Sequence, residues 1–380
     1  MFGGSMRSCL LTMFCIVMVR QAIGFEAGEL VVARETVGLR NSGSVSDTVG
    51  PGQILTVHRS EATRLWVSRG KPGWVSTDQV FGLEEAAEHF SRPFETGANA
   101  RNYQIRGTIR IALGNTEEGL ADLRRAVELS ADPTELLESL AYAELKCQLH
   151  RQAIATFTKV IDANAKAASA LMGRGLALYQ AGQQNGSRSD FQRAVALEPD
   201  HSFARKYLGA ILHDDGRLEE ALGHLERAVE IDPFDVFARK ARGRLLFDLS
   251  QYEQALSDFR VAAKGDPADV EAAAGLGVIR HAMGVLVEAE SDFVAAIELA
   301  EPTHDFAFLW SNLGQVRMER GDFTAAREAL DQAIALDPHF DEARSHRAYL
   351  SAIDPESSDA GLSQAKVDLR RVLVASAEPT

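Results

Sequence analysis

The stretch "GRLEEALGHLERAVEIDP", residues 216–233, decides the fold. Ala221, Leu225 and Ala228 fall at i, i+4 and i+7, which puts them on one face of a helix. Gly216 precedes that helix, where a left-handed residue ends the helix before it. Asp232-Pro233 closes the segment, because the residue before a proline is pushed out of the α region. The same pattern stands 34 residues earlier in "GQQNGSRSDFQRAVALEP" (182–199) and 34 later in "SQYEQALSDFRVAAKGDP" (250–267). The upstream halves align too: "ARKYLGAILHDDG" (204–216) matches "ARKARGRLLFDLS" (238–250). Gly175, Gly209, Gly243 and Gly277 keep the step of 34. A fixed period of this size predicts stacked two-helix units.

The units resemble tetratricopeptide repeats, whose pattern runs Trp-x2-Leu-Gly-x2-Tyr, then Ala-x3-Phe, then Pro. The glycines here are Gly107, Gly175, Gly209, Gly243, Gly277 and Gly314. The Ala-x3-Phe/Leu pairs are Ala153/Phe157, Ala221/Leu225, Ala255/Phe259, Ala289/Phe293 and Ala326/Leu330. Pro199, Pro233, Pro267 and Pro338 close units, and Trp310 holds the tryptophan position. Gly119, Ala141 and Ser187 depart from the pattern, as does Gln148 at the turn. Seven units are expected over 98–340, with a capping pair of helices over 341–377 interrupted by "DPESSDAG" (354–361).

The formal net charge of −14 argues against nucleic acid, whose phosphates call for Lys and Arg. Cys9, Cys15 and Cys147 build neither a disulfide framework nor zinc-ligand spacing, and Cys147 reads as a small buried hydrophobe. At the N-terminus, Arg7 precedes an apolar run, Ser8 to Val19, followed by Ala22-Ile23-Gly24. This is the layout of a signal peptide over 1–24, cleaved after Gly24, and it predicts a periplasmic or extracellular protein. The run is too short for a bilayer core of about 30 Å. Arg20 keeps an uncleaved membrane anchor open as the alternative.

Residues 28–80 have another texture. β-branched residues alternate with polar ones in "ELVVARET", "QILTVHRS", "RLWVSRG" and "PGWVSTDQV", with Gly and Pro between them. Short strands joined by tight turns are expected, closing into a small barrel. Leu39-Arg40, Pro51-Gly52-Gln53-Ile54, Trp66-Val67 and Gly73-Trp74-Val75 resemble bacterial SH3-like domains. That resemblance implies a cell-wall peptide or a protein as ligand. Trp66 and Trp74 either fill the barrel core or face a ligand. The fold class expected is therefore a small all-β SH3-like barrel followed by an all-α helical solenoid. Between them, residues 83–97 carry Ala86 and Phe90 at the Ala-x3-Phe spacing and read as a linking, capping helix.

Catalytic signatures such as HExxH, GxSxG and GxxxxGK[ST] do not occur. His201, His213 and His224 are spread over two helices and a turn, which does not suit a metal. No cofactor is expected, and the chain reads as a non-enzymatic scaffold. The resemblance implies that the first helix of each unit lines a concave groove. Mapped onto the fourth unit, the groove positions are Phe203, Lys206, Tyr207, Ala210, His213 and Asp214. In the fifth they are Phe237, Lys240, Ala241, Arg244, Phe247 and Asp248. Tyr142, Tyr179, His281 and Phe308 are the neighbours. The residues assigned to peptide binding are Phe203, Lys206, Tyr207, Phe237, Lys240, Arg244 and Phe247. Aromatics beside cations on rigid helices suit an extended peptide with apolar side chains and an acidic group. The alternative is a cell-envelope module whose barrel binds peptidoglycan while the helices recruit an enzyme.

Overall fold

A computed structural model describes residues 29–41, 44–68, 73–91, 99–355 and 357–375. The expected signal peptide at 1–24 and the end of the 83–97 segment lie outside the described residues. The chain divides into two compact units, Met1–Gln183 and Gln184–Thr380.

The first unit begins with seven strands: β1 (Leu30–Ala33), β2 (Val37–Asn41), β3 (Ser44–Val49), β4 (Ile54–Glu61), β5 (Arg64–Ser68), β6 (Gly73–Ser76) and β7 (Val80–Gly82). They form one sheet in the order β3-β2-β6-β5-β4-β1-β7. Laid flat, its edges would stand about 29 Å apart at the usual strand spacing. Yet Val49 of β3 and Val80 of β7 share one core with Val31, Leu39, Leu55, Leu65 and Val75. The sheet therefore rolls around its inward-facing residues. Gly73 permits this closure, since a Cβ there would lie 2.7 Å from the Leu39 carbonyl carbon. Trp66 and Trp74 are only half-buried and absent from that core. Packing inside the barrel is thus not their role. The period of two places them on the opposite face from Leu65, Val67 and Val75.

Six helices complete this unit: α1 (Leu83–His89), α2 (Ala100–Ala112), α3 (Thr116–Leu129), α4 (Thr134–Lys146), α5 (His150–Ala163) and α6 (Ala168–Gln180). Ala86 of α1 is buried among Val32, Phe81, Ile105 and Ile109, with Phe90 packed alongside. The linking helix thus joins sheet and repeats through one apolar cluster.

The second unit holds α7 (Gln184–Leu197), α8 (Ser202–Asp214), α9 (Leu218–Ile231), α10 (Val236–Asp248), α11 (Tyr252–Gly265) and α12 (Val270–Ala282). It continues with α13 (Leu286–Leu299), α14 (Ala307–Glu319), α15 (Phe323–Leu336), α16 (Asp341–Ile353) and α17 (Asp359–Ala375). Each first helix packs on its own second helix, and each second helix packs on the first helix of the next pair. First helices also touch along the row α8, α10, α12, α14, α16. In α9, Ala221, Leu225 and Ala228 are fully buried while Glu219, Glu220, Glu226 and Arg227 are exposed, as the stripe predicted. Gly216 has φ 74°, the left-handed value the turn requires.

A buried ion pair recurs inside the pairs. Nε and Nη2 of Arg106, Arg242 and Arg347 donate to both carboxylate oxygens of Asp122, Asp258 and Asp368, at 2.7–2.9 Å. The partners are 16 residues apart in the first two pairs and 21 in the third. Helices α16 and α17 thus reproduce the internal bond of a repeat, with a longer loop and a longer start to α17 making up the difference. Helices α16 and α17 form a further pair of the same kind.

Candidate peptide-binding face

The structure brings four of the assigned residues together. Phe203, Lys206 and Tyr207 share α8 at i, i+3 and i+4, spacings that meet on a helix surface. Phe237 reaches them from α10. The Phe203 and Tyr207 rings lie 4.9 Å apart, those of Tyr207 and Phe237 4.7 Å, and Phe191 of α7 stacks on Tyr207 at 5.4 Å. Lys206 Nζ stands 5.5, 5.8 and 5.4 Å from the Phe203, Tyr207 and Phe237 centroids, within cation–π range. All three rings are half-buried, so each is packed against its neighbours and still open in part to solvent.

Both assigned lysines have carboxylate partners that sequence reasoning missed. Lys206 Nζ donates to Asp235 Oδ2 at 2.5 Å, and Lys240 Nζ lies 2.6 Å from Asp269 Oδ2. Asp235 and Asp269 also cap α10 and α12, accepting from the amides of Ala238 and Ala272. The signal was present as Asp-Pro-x-Asp at 232–235 and 266–269, a helix-start pattern. Lys240 donates further to Glu271 at 2.7 Å, and Arg244 bridges the same carboxylate at 3.0 Å. Burial opposes the charged forms of Lys240 and Asp269, but their hydrogen bonds prevail. Lys240 is pushed above the usual lysine range and Asp269 held below the usual carboxylate range. Arg244 remains half exposed. Phe247 stands apart from the ring cluster, against Tyr252 at 5.6 Å. Ala210 and Ala241, expected on the open face, are buried between helices at 6% and 2% exposure, a correction to the mapped positions.

Toward the ends of the first helices, two histidine–carboxylate contacts repeat in register. His213 Nε2 lies 2.6 Å from Asp248, and His281 Nε2 2.9 Å from Glu319. No group of His, Cys, Asp and Glu suited to a metal ion occurs among the described residues. No helix among them is long and apolar enough to cross a membrane. Cys147 is half-buried against the cluster of Ile111, Leu120, Leu123 and Leu140.

In the first unit, the equivalent face of α4 and α6 contains a cleft of about 510 Å³, lined by Tyr142, Leu145, Lys146, Leu176 and Gln180 with Gln148 and His150 at the turn. Tyr142 was the one residue here that the repeat register had placed on the open face.

Family models described as tetratricopeptide repeat match residues 100–133, 139–186, 185–236, 240–302 and 307–340. These matches span more than half of the chain, which therefore belongs to the tetratricopeptide repeat family. They begin at residue 100, after the strands. Similar solved structures include a tetratricopeptide repeat protein from Parabacteroides merdae, 16% identical, with TM-score 0.50 over 73% of this chain and 100% of that one. The Cut9–Hcn1 assembly of APC/C gives TM-score 0.53 at 14% identity, over 78% of this chain and 57% of that one. YrrB, a repeat protein described as having an unusual peptide-binding site, is 24% identical with TM-score 0.42, over 49% of this chain and 95% of that one. At these identities the likeness to the first two is one of fold. No curated protein matches the chain by sequence.

Proposed function

We propose that the chain is an exported, non-catalytic scaffold that binds a protein or extended peptide on the face formed by its first helices. One observation carries the reading: Phe203, Tyr207 and Phe237 form a half-buried aromatic cluster bridging two consecutive first helices. Preorganised, half-exposed aromatic rings on rigid helices can anchor a ligand with little ordering cost. Arg244, two turns along α10 from Phe237, supplies a half-exposed charge for orientation. Export is supported by Arg7, the apolar run and Ala22-x-Gly24. The test is a photo-crosslinking residue at position 237 in the full chain in its native cell, followed by mass spectrometry. A partner peptide crosslinked at 237, and none at exposed position 226 on a second helix, is the expected result. Crosslinks only at 226 would move recognition to the other face.

A second reading places a cell-envelope ligand on the sheet. It is favoured by Trp66 and Trp74, edge to face at 5.3 Å outside the core, with Arg64 4.3 Å over the Trp74 ring. Binding of purified sacculi that Trp74→Ala abolishes would support it; retention by the variant would not.

A further inference from the structure

We propose that the cleft between α4 and α6 binds an acidic side chain of an extended peptide, with a neighbouring aliphatic side chain of that peptide on its apolar wall. The proposal rests on the peptide-binding reading and assigns the acid-recognising element to the second and third repeats.

The wall is rigid. Tyr142 donates its hydroxyl to the Ser169 carbonyl at 2.8 Å, and its ring stands edge-on to Phe157 at 4.9 Å. The phenol is thus held at both ends while 41% of the residue stays open to solvent. Leu145 and Leu176 continue the apolar surface. The rim is cationic and rich in donors. Lys146 is exposed and makes no ion pair among the described residues, unlike Lys206 and Lys240. Gln148 and Gln180 bring amide donors, and no carboxylate lines the cleft. The buried Nδ1 of His150 has no hydrogen-bond partner.

The turn gives an independent pointer. Gly114, Gly182, Gly216, Gly284 and Gly321 take positive φ in other repeats, whereas Gln148 keeps a side chain at φ 59°. Backbone strain kept at the rim of a cleft points to a role for the side chain. Ser250 shares the conformation in the fifth repeat. Together these groups match a carboxylate. A lysine ammonium meets it as a point charge, amide N–H groups donate to it, and an aliphatic neighbour covers the wall. Bidentate recognition of a phosphate group would favour an arginine fork, and no arginine lines the cleft.

The experiment is fluorescence anisotropy of the full chain with a labelled seven-residue peptide alternating Leu and Asp, amidated at its C-terminus. The same peptide with Asn for Asp, and with phosphoserine for Asp, are the comparisons. The Asp peptide is expected to bind about tenfold more tightly than the Asn peptide, the value of one modest charge contact. Lys146→Ala should remove that preference, Gln148→Gly should reduce it without lowering the melting temperature, and Glu226→Gln, at an exposed second-helix position, should leave it in place. Equal binding of Asp and Asn peptides, an unchanged preference in Lys146→Ala, or tighter binding of the phosphoserine peptide overturns the proposal. Binding lost through Phe237→Ala but not Lys146→Ala sinks the cleft and keeps the wider reading. No binding of any probe at millimolar protein also sinks the cleft, while the crosslink at 237 decides the wider reading separately.

Discussion

The ring of Phe259 lies between the glycines of two consecutive repeats: a Cβ at Gly275 would stand 2.3 Å from its Cε1, and one at Gly243 2.7 Å from its Cε2. The contact recurs three repeats earlier, where a Cβ at Gly173 would fall 2.2 Å from Phe157 Cζ. Where the following repeat has Tyr207 instead of glycine, Phe191 stacks on that ring. The residue two before the repeat glycine is therefore matched to the aromatic of the preceding repeat.

Gly275→Ala should destabilise the chain by about 2 kcal/mol through overpacking. In the presence of Phe259→Leu the same change should cost less, with a coupling on the order of 1 kcal/mol. Denaturant unfolding of the two single variants and the double variant measures this. Strict additivity would mean that the ring moves aside freely.

Ser250 holds φ 60° where most repeats use glycine. Ser250→Gly should raise stability by about 1 kcal/mol, since a left-handed backbone costs an L residue roughly that much. Thermal melts check it, and a loss of stability would point to a bond from the serine side chain.

Much of this was legible in the residues themselves. The 34-residue step fixed the helix pairs and their turns, and the stripe Ala221, Leu225, Ala228 identified the buried side of α9. Interactions that cross repeats were harder to see. Lys206 meets Asp235 because successive first helices lie side by side, a relationship that periodicity within one helix does not express. Trp66 and Trp74 look like core residues by size and are placed outside only by strand register. None of the Arg–Asp pairs inside the repeats was read from the residues, and Asp368 stands out of step with Asp122 and Asp258 as well.

His224 is held below the usual histidine range by burial, and then by Arg205, whose Nη1 lies 3.4 Å from its Nδ1. A folded-state pKa below the unfolded value of about 6.5 means that stability is present above that pH and falls as pH drops through the folded value. One repeat later, Asp258 occupies the same place and bonds Arg239 at 2.6 Å. His224→Asp should therefore raise stability at pH 7 by about 1 kcal/mol and remove part of the loss between pH 7 and pH 5. His346, also held low chiefly by burial, should supply a remaining slope. Melts at pH 5, 6 and 7 measure both, and an unchanged pH profile would show that His224 does not contribute.

With the partner caught at position 237 in hand, Phe237→Ala should weaken its binding on the order of 2 kcal/mol. Arg244→Glu should weaken it in a salt-dependent way. Lys240→Ala should chiefly lower stability, by about 1 kcal/mol, because Asp269 loses its partner. Titrations paired with melts separate the two effects. A fall in melting temperature for Phe237→Ala as large as its loss of affinity would make that ring packing material.

Between Arg347 and Asp368 the chain already accommodates five residues more than its counterparts, two of them in the loop between α16 and α17, with the ion pair intact. Loop closure grows costlier only slowly, about 0.6 kcal/mol for each doubling of length. The exposed turn beside Pro355 is therefore a natural port for engineering. A fluorescent reporter or an affinity tag spliced there would ride on the array without disturbing the helices on either side, leaving the first-helix face open for whatever it is built to hold.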